Sequence, residues 1–144
     1  MNNGVLIPRM ARDREFGYVF DASAWMAYLK GESLRLKEIV DNNRVLTHGC
    51  CLGEVVSAIA RAGLNPEEIW EFMRTQHCVP SLHPRDEARA GMGDPGTPLP
   101  ERLTLAVAAE QEIPAVFFAN GRVRVVTHDR AARLVPKLDR SVPR

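Results

Sequence analysis

Hydrophobic and polar positions along the first third of the chain follow two different periods. The run "YVFD", which begins at Tyr18, is short and nearly all apolar, which predicts a buried strand. "SAWMAYLKG" has the length and apolar spacing of a helix that Gly31 ends. "SLRLKEIVDN" predicts a second helix with Ser33 as its N-cap, and "RVLTH" predicts a second strand. The order of elements here is therefore strand, helix, helix, strand.

The middle third of the chain is predicted to be mainly helical. "NPEEIWEFMRTQ" begins with Asn65 as a cap and Pro66 at the first helical position, and "CVPSL" predicts a short strand in which Pro80 favours a sheet edge. "CCLGEVVSAIARAG", which precedes them, predicts an amphipathic helix that Gly63 ends. Its apolar residues at helical spacing are Leu52, Val55, Val56 and Ile59.

The last third contains a loop, a buried helix and a hairpin. "ARAGMGDPGTPLP" is rich in glycine and proline and predicts a loop, whereas "ERLTLAVAAEQE" is apolar nearly all round, as in a helix covered on several sides. "AVFFANGRVRVVTHD" holds two strand-like runs joined by Asn120 and Gly121, a strong hairpin-turn signal. "RAARLVPKL" then predicts a short closing helix.

Strands separated by helices predict an α/β fold of three layers, with a mainly parallel central sheet and helices on both faces. A chain of 144 residues that is 45% hydrophobic fits one domain with a real core. Residues 1–16 show no sustained period, so we assign them to an N-terminal extension and assign residues 17–144 to the domain.

The charge of the chain excludes some classes of protein. A net charge of +1 lacks the strong basic signature of proteins that hold nucleic acid by bulk electrostatics, although the segment from Arg130 to the end is locally basic.

No run approaches the roughly 18 apolar residues of a membrane helix, and the first residues are too charged for a signal peptide. We therefore expect a cytoplasmic protein with no membrane segment.

Several residue types that often form sites have a structural interpretation here. The cysteines are odd in number and lack metal-ligand spacing, which predicts buried free thiols, and the histidines match no metal motif. The apolar setting of Trp25, Trp70 and Met73 favours core or interface positions, and Trp70 with Phe72 is a candidate dimer surface. The cysteines are Cys50, Cys51 and Cys78, and the histidines are His48, His77, His83 and His128.

Four acidic residues are predicted to meet at one edge of the sheet. Asp21 and Asp129 follow predicted strands, and Glu54 and Glu101 lie in the first turns of predicted helices. Any one of them alone is most often a helix cap or a partner of the helix dipole. Together, such carboxylates would repel one another, and Mg²⁺ or Mn²⁺ would compensate that repulsion. The chemistry implied is metal-assisted hydrolysis of a phosphodiester.

The motifs that carry these acids resemble those of PIN-domain ribonucleases. They are the D-x-S of "FDASAW", the Glu of "LGEVVSAIAR", the acid of "PLPERLTLAVAA" and the T-x-D of "VVTHDRAARL", in that order. The chain is also similar in its compact size to VapC-type toxins. The resemblance implies a PIN-like fold, a Mg²⁺- or Mn²⁺-dependent endoribonuclease, a homodimer and a small antitoxin that covers the groove. It further implies metal ligands at Asp21, Glu54, Glu101 and Asp129 and supporting hydroxyls at Ser23 and Thr127.

The chain departs from the family pattern at two places. Glu101 stands where an aspartate is usual, with Asp94 as the fallback acid. The hairpin of residues 114–124 lengthens the path to Asp129, so it either shapes the groove or shifts the strand that presents this acid. Two alternatives therefore stay open: a catalytically weak or silent PIN-like module that binds RNA or protein, and a small enzyme acting on a phosphorylated metabolite. The absence of a glycine-rich phosphate loop after the first strand disfavours the second.

Overall fold

The computed structural model describes residues 16–76, 78–81 and 84–135. These residues form five strands and seven helices. The strands are β1 (Phe16–Phe20), β2 (Arg44–His48), β3 (Cys78–Ser81), β4 (Ala115–Ala119) and β5 (Arg122–Val126). The helices are α1 (Ala22–Leu29), α2 (Leu34–Asn42), α3 (Gly49–Arg61), α4 (Pro66–Gln76), α5 (Pro84–Gly91), α6 (Leu99–Gln111) and α7 (His128–Leu134).

All five strands belong to one mixed sheet in the order β3-β2-β1-β4-β5. The neighbours from β3 to β4 are parallel, and β5 alone runs antiparallel to β4. Along the chain, β2 and β3 are added in turn on one side of β1, and the chain then crosses over so that β4 lies on the other side of β1. The gap between β1 and β4 is therefore the point where the strand order reverses, which is where open α/β sheets bind ligands. The predicted α/β class with a mainly parallel sheet is confirmed.

Alternate residues of the strands pack against helices on opposite faces of the sheet. Phe20 and Val116 belong to a core with α1, α2 and α3, whereas their neighbours Val19 and Phe117 belong to a core with α6 and α7. Trp25 is buried in the first core, as predicted, and its Nε1–H donates to Thr47 Oγ1 at 2.7 Å. This bond ties α1 to β2 beneath the carboxyl edge of the sheet.

Most local signals in the sequence mark the elements correctly. Ser33 Oγ accepts a hydrogen bond from the N–H of Leu36, so it caps α2 as predicted. Gly31 and Gly63 have positive φ after α1 and α3, the left-handed conformation that stops a helix. β1 begins at Phe16, two residues before the predicted start at Tyr18.

The predicted loop "ARAGMGDPGTPLP" is wrong in its first residues, because α5 extends to Gly91. Arg89 is buried and its Nη1 lies 2.7 Å from Glu110 Oε2 on α6. Arg102 of α6 also donates to the carbonyl oxygen of Ala90 at 2.7 Å. These contacts hold the end of α5 against α6, and a local sequence pattern cannot show them.

The predicted hairpin at Asn120 and Gly121 is confirmed. Both residues have positive φ, 55° and 74°, and they join β4 to β5. Ala115 at the start of β4 pairs with Val126 at the end of β5. The chain therefore leaves β5 at the amino edge of the sheet, where β4 begins, and not at the carboxyl edge.

The N-terminal extension assigned to residues 1–16 falls outside the described residues except for Phe16, which starts β1. Within the described part of the chain, no helix is long and apolar enough to cross a membrane.

Candidate functional site

Asp21 lies directly beyond β1, at the point where the strand order reverses. Its Oδ1 accepts hydrogen bonds from Ser23 Oγ at 2.6 Å and from the backbone N–H of Ala24 at 3.0 Å, so it is the N-cap of α1. Its own N–H donates to the carbonyl oxygen of Val116 on β4 at 3.3 Å. The carboxylate is thus held in a fixed orientation between β1, α1 and β4.

Ser23 links Asp21 to the neighbouring strand. Its hydroxyl donates to Asp21 Oδ1 and accepts from the N–H of Phe118 at 2.9 Å. Since one hydroxyl has a single proton, Ser23 has no proton left to donate to a ligand. The sequence predicts a supporting hydroxyl here, and the support that the structure shows is the orientation of Asp21.

The electrostatic setting of Asp21 is unusual for a helix cap. Burial raises the pKa of its carboxyl from the ordinary 3.8 to about 6, against the lowering effect of the hydrogen bonds from Ser23 and Ala24. The negative charges of Glu101 and Glu54 raise this pKa further. Glu54 and Glu101 therefore lie near enough to Asp21 at the carboxyl edge of the sheet for their charges to affect its carboxyl.

Glu54 stands on the wall of an open cleft between α1 and α3. The cleft has a volume of about 530 Å³ and passes from Ser23 along α3 to Arg61, whose Nη1 donates to Ser57 Oγ at 2.6 Å. Gly53 adds no side chain to this wall, and the space beside it is open, since a Cβ added there would meet no atom within 4 Å. The cleft thus has a carboxylate end and a guanidinium end. Its lining residues are Ala22, Ser23, Met26, Gly53, Glu54, Ser57, Ala58 and Arg61.

Glu101 reaches the site from the first turn of α6, where Pro100 also lies. Its Oε2 is 3.8 Å from Nη1 of Arg124 on β5, and the Arg124 guanidinium lies over the Phe117 ring, 5.3 Å from the centroid. Sequence reasoning misses Arg124. The alternation in "RVRVV" indicates that its arginines share one face, but only the register with β4 shows that this face meets Glu101.

Cys51 lies in the protein interior beneath the acidic residues. It is fully buried, and its Sγ is 3.4 Å from Thr104 Oγ1 on α6. Burial raises the pKa of this thiol to about 12, opposed by the hydrogen bond with Thr104, and the charge of Asp21 raises it further. Cys51 is therefore a protonated, buried thiol, as the sequence predicts, and it is not a nucleophile.

The structure does not bring Asp129 and Thr127 together with Asp21, Glu54 and Glu101. Thr127 Oγ1 accepts from the N–H of Arg130 at 3.3 Å and caps α7, and Asp129 is exposed beside His128, with 3.3 Å between Oδ1 and Nε2. The antiparallel direction of β5 places both residues toward the amino edge of the sheet. Neither residue contributes to the pKa shift of Asp21.

The fallback acid has a local role in a turn. Asp94 Oδ1 accepts a hydrogen bond from the N–H of Gly96 at 2.9 Å in the loop between α5 and α6. This is the usual way in which an aspartate stabilises a turn.

The donor set of the site suits a hydrated Mg²⁺ or Mn²⁺ ion. Among the described residues, no three His, Cys, Asp or Glu side chains are close enough to form a ready-made metal site. Mg²⁺ in proteins, however, usually keeps several waters and uses one or two carboxylates together with substrate phosphates. Asp21, Glu54 and Glu101 are the side chains that could hold an ion in that mode, and none of them is a nitrogen or sulfur ligand of the kind that zinc favours.

Comparisons with protein-family models, with curated proteins and with solved structures return no match for this chain.

Proposed function

We propose that this chain is a PIN-like, metal-dependent endoribonuclease that hydrolyses RNA phosphodiester bonds at the carboxyl edge of its sheet. The observation that carries the proposal is the position of Asp21, held by Ser23 and Ala24 where the strand order reverses and near enough to Glu54 and Glu101 for their charges to raise its pKa. A site that gathers negative charge in this way is stabilised by a divalent cation.

The proposed roles follow from the positions of the side chains. Asp21, held through Oδ1 by Ser23 and Ala24, is the fixed ligand, and Glu54 and Glu101 complete the oxygen set from α3 and α6. When bound, the divalent cation lowers the pKa of a water and offsets negative charge on the phosphate. We infer that a single RNA strand enters the cleft along α3, which is open to solvent. Water rather than the ribose hydroxyl attacks, so the products carry 5′-phosphate and 3′-hydroxyl ends.

The direct test is cleavage of a labelled single-stranded RNA in Mn²⁺, compared with the same reaction in EDTA. Asp21→Asn and Glu54→Gln should each lose most of the activity. Asp129→Asn is the matched control, because it makes the same chemical change at an exposed position away from the site, and it should retain cleavage. Cleavage that persists in EDTA, or in Asp21→Asn, would contradict the proposal.

A PIN-like module that binds RNA or a protein without cleaving is the second candidate. It is favoured by two observations: Asp129 is away from the carboxylates, and Glu101 is paired with Arg124. Titration calorimetry separates the two candidates. Mn²⁺ binding that disappears in Asp21→Asn supports the nuclease, whereas RNA retention without metal binding at millimolar Mn²⁺ supports the module.

The proposal extends to the toxin of a toxin-antitoxin pair, in which a small antitoxin covers the cleft between α1 and α3. Induced expression should then arrest growth of the host, and Asp21→Asn should relieve the arrest. The accompanying proposal of a homodimer is tested by light scattering of the purified chain. Trp70, one of the residues suggested for the dimer surface, is partly buried against the core of its own chain.

A further inference from the structure

Arg124 is the cation that the fold brings to the carboxylates of the proposed site. Phe20 of β1 pairs with Val116 of β4, so the next residues along, Asp21 and Phe117, lie in the same row. Phe117 pairs with Arg124 of β5. The row therefore places Arg124 two strand spacings, or about 10 Å of backbone, from Asp21. Its side chain lies on the face of the sheet that α6 covers, where it meets Glu101.

The ion pair between Arg124 and Glu101 is loose. The 3.8 Å between Nη1 and Oε2 is longer than the roughly 2.7–2.9 Å of a strong charge-assisted hydrogen bond. The Arg124 side chain is 50% exposed, so water screens the pair and can replace it. By contrast, the stacking on Phe117, which is buried, gives the guanidinium a firm support. Arg124 is thus held in place by the aromatic ring more than by the carboxylate.

The charges of the site favour a substrate anion at Arg124. Three carboxylates and one guanidinium leave two negative charges, which one divalent cation balances. When Glu101 turns to the cation, the three carboxylates and the cation together carry one negative charge, which Arg124 balances, so a phosphate that binds Arg124 meets no net charge. A phosphate is the anion that a planar guanidinium binds with two parallel hydrogen bonds.

We propose that Arg124 is a substrate-positioning residue, which exchanges Glu101 for a phosphate of the bound RNA strand next to the bond that is hydrolysed. This inference rests on the proposed nuclease function. It assigns Arg124 to substrate and not to the metal, so the two roles can be measured separately.

The test is binding of a fluorescein-labelled 12-nucleotide phosphorothioate RNA, which resists cleavage, in Mn²⁺ and again in EDTA, followed by anisotropy at several salt concentrations. In Mn²⁺, Arg124→Gln should bind about tenfold more weakly, as expected for loss of a charged hydrogen-bond pair. Its dependence of log K on log salt should be shallower by about 0.7, the value for one phosphate contact on a single strand. Arg133→Gln removes an equal charge from exposed α7, and it should match the wild type.

Glu101→Gln distinguishes substrate positioning from a purely structural pair. In EDTA it frees Arg124 and removes a carboxylate that repels RNA, so RNA should bind at least as tightly as to the wild type. If the pair only stabilises the fold, Glu101→Gln and Arg124→Gln should instead weaken binding alike. Arg124→Lys keeps the positive charge but loses the two parallel N–H donors of the guanidinium, so it should bind RNA with an intermediate affinity. It also provides a second measurement if Arg124→Gln does not fold.

Equal RNA affinity and salt dependence of Arg124→Gln and Arg133→Gln, including no binding by either, would overturn the assignment. The proposed function has a separate test in EDTA and in Asp21→Asn. If the wild type cleaves RNA only with metal and Arg124→Gln binds RNA as the wild type does, the role of Arg124 is refuted and the nuclease proposal stands.

Discussion

Replacing Asp21 by asparagine should make the metal-free protein more stable at neutral pH while it abolishes the site. Asparagine keeps an acceptor oxygen for the N–H of Ala24 and for the hydroxyl of Ser23, and it is a favourable N-cap. What it removes is a negative charge that burial and two neighbouring glutamates disfavour. The substitution therefore separates the capping role of this residue from its charge.

The magnitude follows from the pKa of the folded protein. The pKa of Asp21 rises from 3.8 to about 6, so the folded protein binds more protons than the unfolded chain between these values. Stability then falls as the pH rises through this window, and the loss is complete above it. A rise in pKa of this size corresponds to about 3 kcal/mol, and partial exposure of Asp21 reduces it to about 1.5–3 kcal/mol.

The assay is urea unfolding in EDTA from pH 4 to pH 8, for the wild type and Asp21→Asn. The two unfolding free energies should be close near pH 4 and should diverge until Asp21→Asn is about 1.5–3 kcal/mol more stable at pH 7. Other titrating groups cancel in the difference. Asp129→Asn should show no such divergence. A variant less stable than the wild type at pH 7, or a difference that does not depend on pH, would refute the reasoning.

Metal adds a second measurement on the same variants. At a concentration 100 times its dissociation constant, a bound ion stabilises the folded state by about 2.7 kcal/mol. Mn²⁺ should therefore stabilise the wild type and leave Asp21→Asn unchanged. Equal stabilisation of both proteins would mean that the ion binds elsewhere.

Three further predictions concern the interior. Cys51 should resist alkylation in the native protein and react after unfolding, whereas Cys50, which is partly exposed, should react before Cys51; peptide mass mapping measures both. Trp25→Phe should cost about 1–3 kcal/mol in urea unfolding, because the buried hydroxyl of Thr47 loses its partner, and Thr47→Val in the same chain should recover part of this loss. Burial lowers the pKa of His48, so stability should fall as the pH drops through about 6.5, and His48→Asn, which keeps a cap for α3, should lessen that fall; an unchanged acid limb would contradict it.

Three of the four acids could be placed from sequence because each depends on a local rule. Asp21 follows a buried run that must be a strand, and Glu54 and Glu101 open helices whose apolar spacing is clear. In a parallel sheet with covering helices, strand ends and helix starts meet at one edge, so these residues converge whatever the details of packing.

Asp129 could not be placed by the same rule, because its position depends on the direction of a strand. The turn at Asn120 and Gly121 can be predicted from sequence, and because a hairpin reverses the chain it predicts Asp129 at the amino edge of the sheet. The resemblance of the T-x-D motif to the PIN-domain pattern instead predicts Asp129 at the carboxyl edge. The antiparallel pairing of β5 with β4 decides between them. Arg124 depends on the same pairing, since only the register tells which helix it faces. Direction and register are set by contacts between distant segments and not by local pattern.

The capping role of Asp21 does not by itself account for its ionised side chain. An aspartate that serves only as an N-cap is stabilised by amide hydrogen bonds and by the helix dipole, and both effects lower its pKa. Here those bonds are present, yet the pKa is raised, because burial and two glutamates outweigh them. Asparagine or serine would cap α1 without this cost. In the proposed function, a bound cation would restore the stability that the charge removes. The pH dependence of unfolding with and without Mn²⁺ therefore tests the site directly, before any RNA is added.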